Sequence, residues 1–160
     1  MKDAFAKLTS YKNNIAMKIL MNDNIIKALS NNNSDFLADP LPSPEDIFLL
    51  FYDNIFPYKH VPEINDDVST FITMEFDRHR YINNSFKSGH VTFYVFTHKS
   101  IVRTDYGLRY DYLLNEINNL FNKELGVAGV FKLNLIGAGD FQANENYYGA
   151  TVTYEFTDFH

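Results

Sequence analysis

Three places in the chain gather side chains whose types could do chemistry. In Arg103-Thr104-Asp105-Tyr106-Gly107, followed closely by Arg109, two guanidinium groups could clamp an anion beside the free amides of a helix start. The same residues also admit a purely structural use. Thr104 or Asp105 would N-cap a helix opening near Leu108, an arginine would pair with Asp105, and Tyr106 and Tyr110 would pack against the sheet. Gly107 would take a positive φ or let the backbone pass close to a neighbour. Capping is ordinary chemistry and is the preferred reading. Asp77-Arg78-His79-Arg80 could supply His79 as a general base oriented by Asp77. Those two share a side only if the strand continues, and no serine or cysteine nucleophile is marked nearby, so a charged surface cluster is expected. Gly137-Ala138-Gly139-Asp140 has the glycines of a phosphate loop but no following lysine or helix, and its glycines suit a turn or a bulge. Asp140 and Asn144 lack EF-hand spacing, and none of the 5 histidines sits in an HxH or HExxH pattern. No metal, no cofactor and no catalytic residue is therefore expected. The rival readings are a small cytoplasmic hydrolase or transferase using His79 or the Arg103–Arg109 junction, and a monomeric binding module.

The bulk numbers set the frame for these residues. A chain of 160 residues, 46% hydrophobic and 21% charged, suits one domain, residues 1–160, with a real core. Aromatic residues reach 16%, which fits a sheet with much contact surface. A net charge of −6 argues against a dedicated nucleic-acid binder. With 0 cysteines there can be no disulfide or thiolate site, and this fits an intracellular origin. The N-terminus lacks the apolar core of a signal peptide, and no run approaches the roughly 20 apolar residues of a membrane helix. The many asparagines are read as a mark of coding bias.

Periodicity then supplies the elements. A first helix is predicted over Lys12–Ser30. A second starts at Ser43, with Pro44 at its first position, and carries the stripe Ile47, Leu50, Phe51 and Ile55. Strands are expected over Ser69–Asp77 and His90–His98, the latter inside the sheet, with a long polar connection at Arg78–Gly89. A third helix spans Leu108–Leu125, with Gly126 as its C-cap glycine. Two more strands cover Ala128–Ile136 and Tyr147–Thr157, separated by a Gly137–Asn146 loop. The order α-α-β-β-α-β-β implies an α+β fold, a mainly antiparallel four-stranded sheet with helices on one face.

The whole arrangement resembles the small neck and tail-terminator proteins of long-tailed bacteriophages. The residues that carry the resemblance are IAMKILMNDNIIKAL, DPLPSPEDIF, FPYKHVPEINDDVSTFITMEF, THKSIVRTDYGLRYDYLLNEI and FQANENYYGATVTYEF, from about Asn14 to Phe156. The resemblance implies a structural virion protein that is not an enzyme. It would be assembled in the host cytoplasm as a ring, usually a hexamer, that terminates the tail tube. Its implied partners are its own copies, the tail tube protein and the head connector or neck proteins. Packaged DNA would slide through the channel without specific binding, and no membrane is involved. Arg78, Arg80 and Asn144 would contact neighbouring subunits. Arg103, Asp105 and Arg109 would hold subunit shape or lie at a subunit boundary.

Overall fold

The computed structural model describes residues 4–82, 85–122 and 131–158. Helix α1 is Ala4–Leu20 and α2 is Asp23–Ser30. The single helix expected over Lys12–Ser30 is thus two. Asn22 takes an extended backbone, and its side-chain oxygen accepts from the Ile25 amide at 2.9 Å, so it ends one helix and caps the next. Their buried faces are Leu8, Tyr11, Ile15 and Ile19 on α1, and Ile25, Ile26 and Leu29 on α2.

Helix α3, Pro44–Leu49, begins as predicted: the Ser43 hydroxyl accepts from the Asp46 amide at 3.2 Å. It stops earlier than the apolar stripe implied. The chain turns through Tyr52, at φ 69°, and delivers Ile55 to a short strand β1, Ile55–Phe56. Ile55 is apolar because it enters the core from this strand, not because it lies on a helical stripe.

Strand β2 is Thr70–Ile82 and β3 is Ser85–His98, so the Arg78–Gly89 segment expected as a polar connection is mostly an extension of this hairpin. A register shift between Asp77 and Arg80, with Arg78 at φ 55°, marks a bulge. After β3 come the two-residue strands β4, Arg103–Thr104, and β5, Gly107–Leu108, which pair with each other. Helix α4 is Arg109–Phe121. Strand β6 is Phe131–Gln142 and β7 is Tyr147–Asp158. Gly137–Asp140 does not break its strand; the extra residue is absorbed as a register shift between Leu135 and Gly137, and the loop expected over Gly137–Asn146 shrinks to a turn. The predicted C-cap Gly126 lies outside the described residues.

The main sheet runs β1-β2-β3-β7-β6, antiparallel except for β1 beside β2. The α+β reading stands. The short parallel β1 is what period-two patterning missed, because two residues are too few to show a period. Strand β3 is central, as its buried alternation implied. On one face Val91, Phe93 and Val95 meet α1, α2 and α4. On the other, Phe56, Phe71, Phe96 and Tyr147 form a smaller aromatic cluster.

Gly149 sits where two strands need close approach: a Cβ there would lie 1.9 Å from the Val95 carbonyl oxygen. Gly107 has open space around it but a φ of +96°, so the positive φ is its reason.

Candidate functional site

The junction after β3 is built around Arg109, whose side chain is 0% exposed. It opens α4, and its own amide donates to the Val102 carbonyl at 2.8 Å. Its Nε donates to the Ile101 carbonyl at 2.9 Å, Nη1 to Ala28 and Asn31 at 2.9 Å each, and Nη2 to Asn33 at 3.0 Å. The guanidinium also lies 4.9 Å from the centre of the Phe36 ring. Two of these acceptors belong to the end of α2: Ala28 lies in its last turn, where carbonyls have no partner within the helix, and Asn31 caps it, while Asn33 follows in the chain and Ile101 comes from the segment before β4. A cation at that end also faces the negative pole of the helix dipole. Arg109 thus caps α2 from a position far along the chain and ties it to the start of α4. Burial pulls its pKa down to about 10, which leaves it charged near neutrality.

The residues around it complete a clamp. Thr104 Oγ1 donates to the Gly107 carbonyl at 2.6 Å and accepts from the Tyr106 amide at 3.1 Å, closing the β4–β5 turn. The Asp105 amide donates to the Ser34 carbonyl at 3.0 Å. Tyr106 donates to the Asp35 carboxylate, which raises the phenol's pKa, and stacks edge-on to Phe36 at 4.8 Å.

Two expectations are corrected here. Helix α4 has no side-chain N-cap from Thr104 or Asp105, because Leu108 holds that position and the local hydroxyl is used inside the turn. Tyr106 packs on the Ser34–Ala38 segment and not on the sheet, whereas Tyr110 does pack against the main core. Arg103 and Asp105 are exposed at the turn. Arg109 touches backbone of its own chain and is out of reach of a partner.

The other sequence candidates lie apart from this clamp. Arg78 and Arg80 are exposed on β2, on the strand and not on a loop. His79 between them is half-buried, and its pKa is lowered by desolvation and then by Lys12, against a smaller upward pull from Asp77. Asp140 is exposed on β6, where its charge helps raise the pKa of Asp111, after desolvation. Asn144 is engaged within the chain: Nδ2 donates to the Pro62 carbonyl at 3.1 Å, and Oδ1 accepts from the amides of Asn146 and Tyr147. Asn146 Nδ2 donates to Ile64 at 2.7 Å and the Tyr147 hydroxyl to Asp67 at 2.7 Å. Together they strap the segment between β1 and β2 over the second aromatic cluster.

Beneath that strap is an open cleft of about 470 Å³ lined by Asp53, Asn54, His60, Val61, Glu63, Asp66, Asp67, Ser69 and Phe71. Nothing in the spacing of these residues marks them in the sequence; the acidic density of 63–67 is the one signal they carry. His60 stacks on Phe56 at 4.1 Å, so its ring is committed to packing. Among the described residues no group of three or more His, Asp or Glu is placed to hold a metal ion, and no helix is long and apolar enough to cross a membrane.

A family model named YomW matches residues 22–156, from the Asn22 cap to the last buried residue of β7. The chain belongs to the YomW family. The family name resembles that of a gene product from a Bacillus phage region, which suggests a phage-related protein. The match spans α2, the Arg109 clamp and the main sheet up to Phe156, two residues short of the end of β7. No curated protein matches the chain, and no solved structure does.

Proposed function

We propose that this YomW-family protein is a structural protein of the phage neck or tail, one that forms a ring, terminates the tail tube and joins the tail to the head connector. It works without a cofactor and not as an enzyme. Its partners are other copies of itself, the tail tube protein and neck proteins, and packaged DNA passes through the ring unbound. It is assembled in the host cytoplasm and resides in the virion.

The observation that carries this reading is apolar surface where the fold has no use for it. Around the end of α3, Phe48 is 61% exposed, Leu49 64% and Tyr52 51%. Tyr52 is also held at positive φ, a conformation a bulky residue rarely adopts without a role. Large exposed apolar residues gathered on one short element mark a surface that is covered in an assembly. The chemistry-bearing residues support the same reading, since Arg109 spends every bond on backbone carbonyls within the chain.

The test is deletion of the gene from a phage that encodes it, followed by electron microscopy of the lysate. Overlong tails, or tails lying free of filled heads, are expected. Normal virions at normal yield would sink the proposal.

A further inference from the structure

We infer that the apolar end of α3 docks on the exposed face of α1 in a neighbouring copy of the chain. This rests on the ring reading above and deepens it by naming the two surfaces that meet.

One surface surrounds the end of α3. Ile47, Leu50 and Phe51 pack against the core, which leaves Phe48 and Leu49 outside, beside Tyr52. Tyr52 is braced edge-on against Phe51 at 4.3 Å, so the patch is held in shape before a partner arrives. The charges around it are all of one sign. Glu45 and Asp46 open the helix, Asp53 follows it, and all three are exposed. None of them holds an ion pair among the described residues. Residues 28–58 contain no lysine and no arginine, and Lys27, the last cation before that run, is committed to the Leu37 carbonyl at 3.1 Å. An apolar patch rimmed by carboxylates fits a partner that is both apolar and basic.

Helix α1 presents such a face. Lys7, Ser10, Asn14, Met17 and Met21 recur at steps of three and four, which puts them in one stripe away from the buried Leu8, Tyr11, Ile15 and Ile19. The Met21 amide donates to the Met17 carbonyl at 3.1 Å, so the stripe runs one turn past the helix end. Met17 is 40% exposed and Met21 78%. Methionine is flexible and polarizable, and it packs well against irregular apolar surface. Lys18 sits four residues after Asn14, on the flank it shares with Lys7. The helix has no Asp or Glu. Its remaining lysine, Lys12, lies over the Phe76 ring at 5.6 Å, whereas Lys7 and Lys18 hold no ion pair among the described residues.

Charge decides which surfaces meet. Two α3 surfaces face to face would set Glu45, Asp46 and Asp53 against their own copies, and two α1 faces would do the same with Lys7 and Lys18. Like charges across an interface oppose association. Only the crossed pairing puts lysine against carboxylate while apolar side chains meet apolar side chains. It does so in either helix orientation and at any register, because α1 has no carboxylate and α3 no cation. The contact joins two different patches, so each copy binds one neighbour through α1 and another through α3. That is the heterologous contact from which a ring closes.

Two charge-reversed full-length proteins test this, each checked for native circular dichroism. One carries Lys7→Glu with Lys18→Glu, the other Glu45→Lys with Asp53→Lys. In native mass spectrometry each alone is expected to self-associate roughly tenfold more weakly than wild type. Their equimolar mixture is expected to regain assembly, with the two kinds of copy alternating. A Lys7→Glu, Lys18→Glu protein that assembles like wild type would overturn the inference, and so would a mixture that stays dissociated. The chain has 0 cysteines, so cross-linking starts from a clean background. Met17→Cys and Leu49→Cys proteins are treated with a short bis-maleimide, alone and mixed. Cross-linked dimer in the mixture and in neither sample alone is expected. Dimer from Leu49→Cys alone would mean that α3 meets a second α3, and overturns the crossed pairing. A wild-type ring that is indifferent to the charge reversals and gives no cross-link overturns the docking assignment while leaving the ring intact. A wild type that stays monomeric at every concentration also overturns the docking assignment, and the gene-deletion phenotype then decides the ring reading separately.

Discussion

Arg109 is the residue whose environment differs most from its appearance in the chain. In sequence it is one of two arginines around a polar turn; in the fold it is sealed among four backbone carbonyls. Removing it would leave those acceptors buried, at about 1–3 kcal/mol for each that water cannot reach. Arg109→Met is expected to lower stability by roughly 4 kcal/mol in urea unfolding, and Arg109→Lys by clearly less, since an ammonium can still donate three bonds. Equal losses in the two variants would show that the bonds to the carbonyls are not what matters. Tyr147 makes a second residue-scale claim. Burial, and then Asp66 and Asp67, push its hydroxyl up to about 12, from 10.0 in an exposed tyrosine. A folded pKa above the unfolded one is a stabilising contribution, present in full below pH 10 and lost as pH rises toward 12. Unfolding midpoints should therefore fall across that window in the wild type and fall less steeply in Tyr147→Phe. Parallel curves would refute the assignment.

At the scale of elements, the same residue type does opposite work in neighbouring strands. Gly149 on β7 lies against the Val95 backbone, whereas Gly139 on β6 has nothing near it. Gly149→Ala should force β3 and β7 apart and cost several kcal/mol or prevent folding, while Gly139→Ala should stay within about 0.5 kcal/mol of wild type. Thermal melts of the two proteins decide it, and a harmless Gly149→Ala would mean that the close strand approach is wrong. The asparagines belong here too. Composition alone suggested coding bias, yet Asn22 caps a helix, Asn54 donates to the Thr70 carbonyl, Asn118 accepts from Tyr154, and Asn144 and Asn146 strap a loop. Their amides serve as staples wherever irregular backbone would otherwise leave polar groups unpaired. A sequence shows how many asparagines there are but not which carbonyl each one reaches, so this use could not be read ahead of the fold.

At the scale of the whole molecule, stability and assembly separate on different surfaces. The core lies between the helices and one face of the sheet, while the end of α3 adds little to it. Phe48→Asp and Leu49→Asp are expected to leave the unfolding midpoint within about 0.5 kcal/mol of wild type and yet to produce phage tails that do not join heads. A well-folded variant that still yields infectious particles would remove this surface from the assembly contact.

By itself, the chain determined what short-range physics can specify. Alternation made β2, β3 and β7 legible, Ser43-Pro44 announced α3, and Gly107 offered a positive φ as one of its two readings. Each of these depends on residues a few positions apart. Only the tertiary structure decided the rest. It showed that β1 slips in beside β2, that the hairpin runs on past Asp77, and that Arg109 serves carbonyls some 80 positions away. Those outcomes turn on which backbone groups lack partners once the elements are packed, and a lone carbonyl leaves no trace in the side-chain pattern.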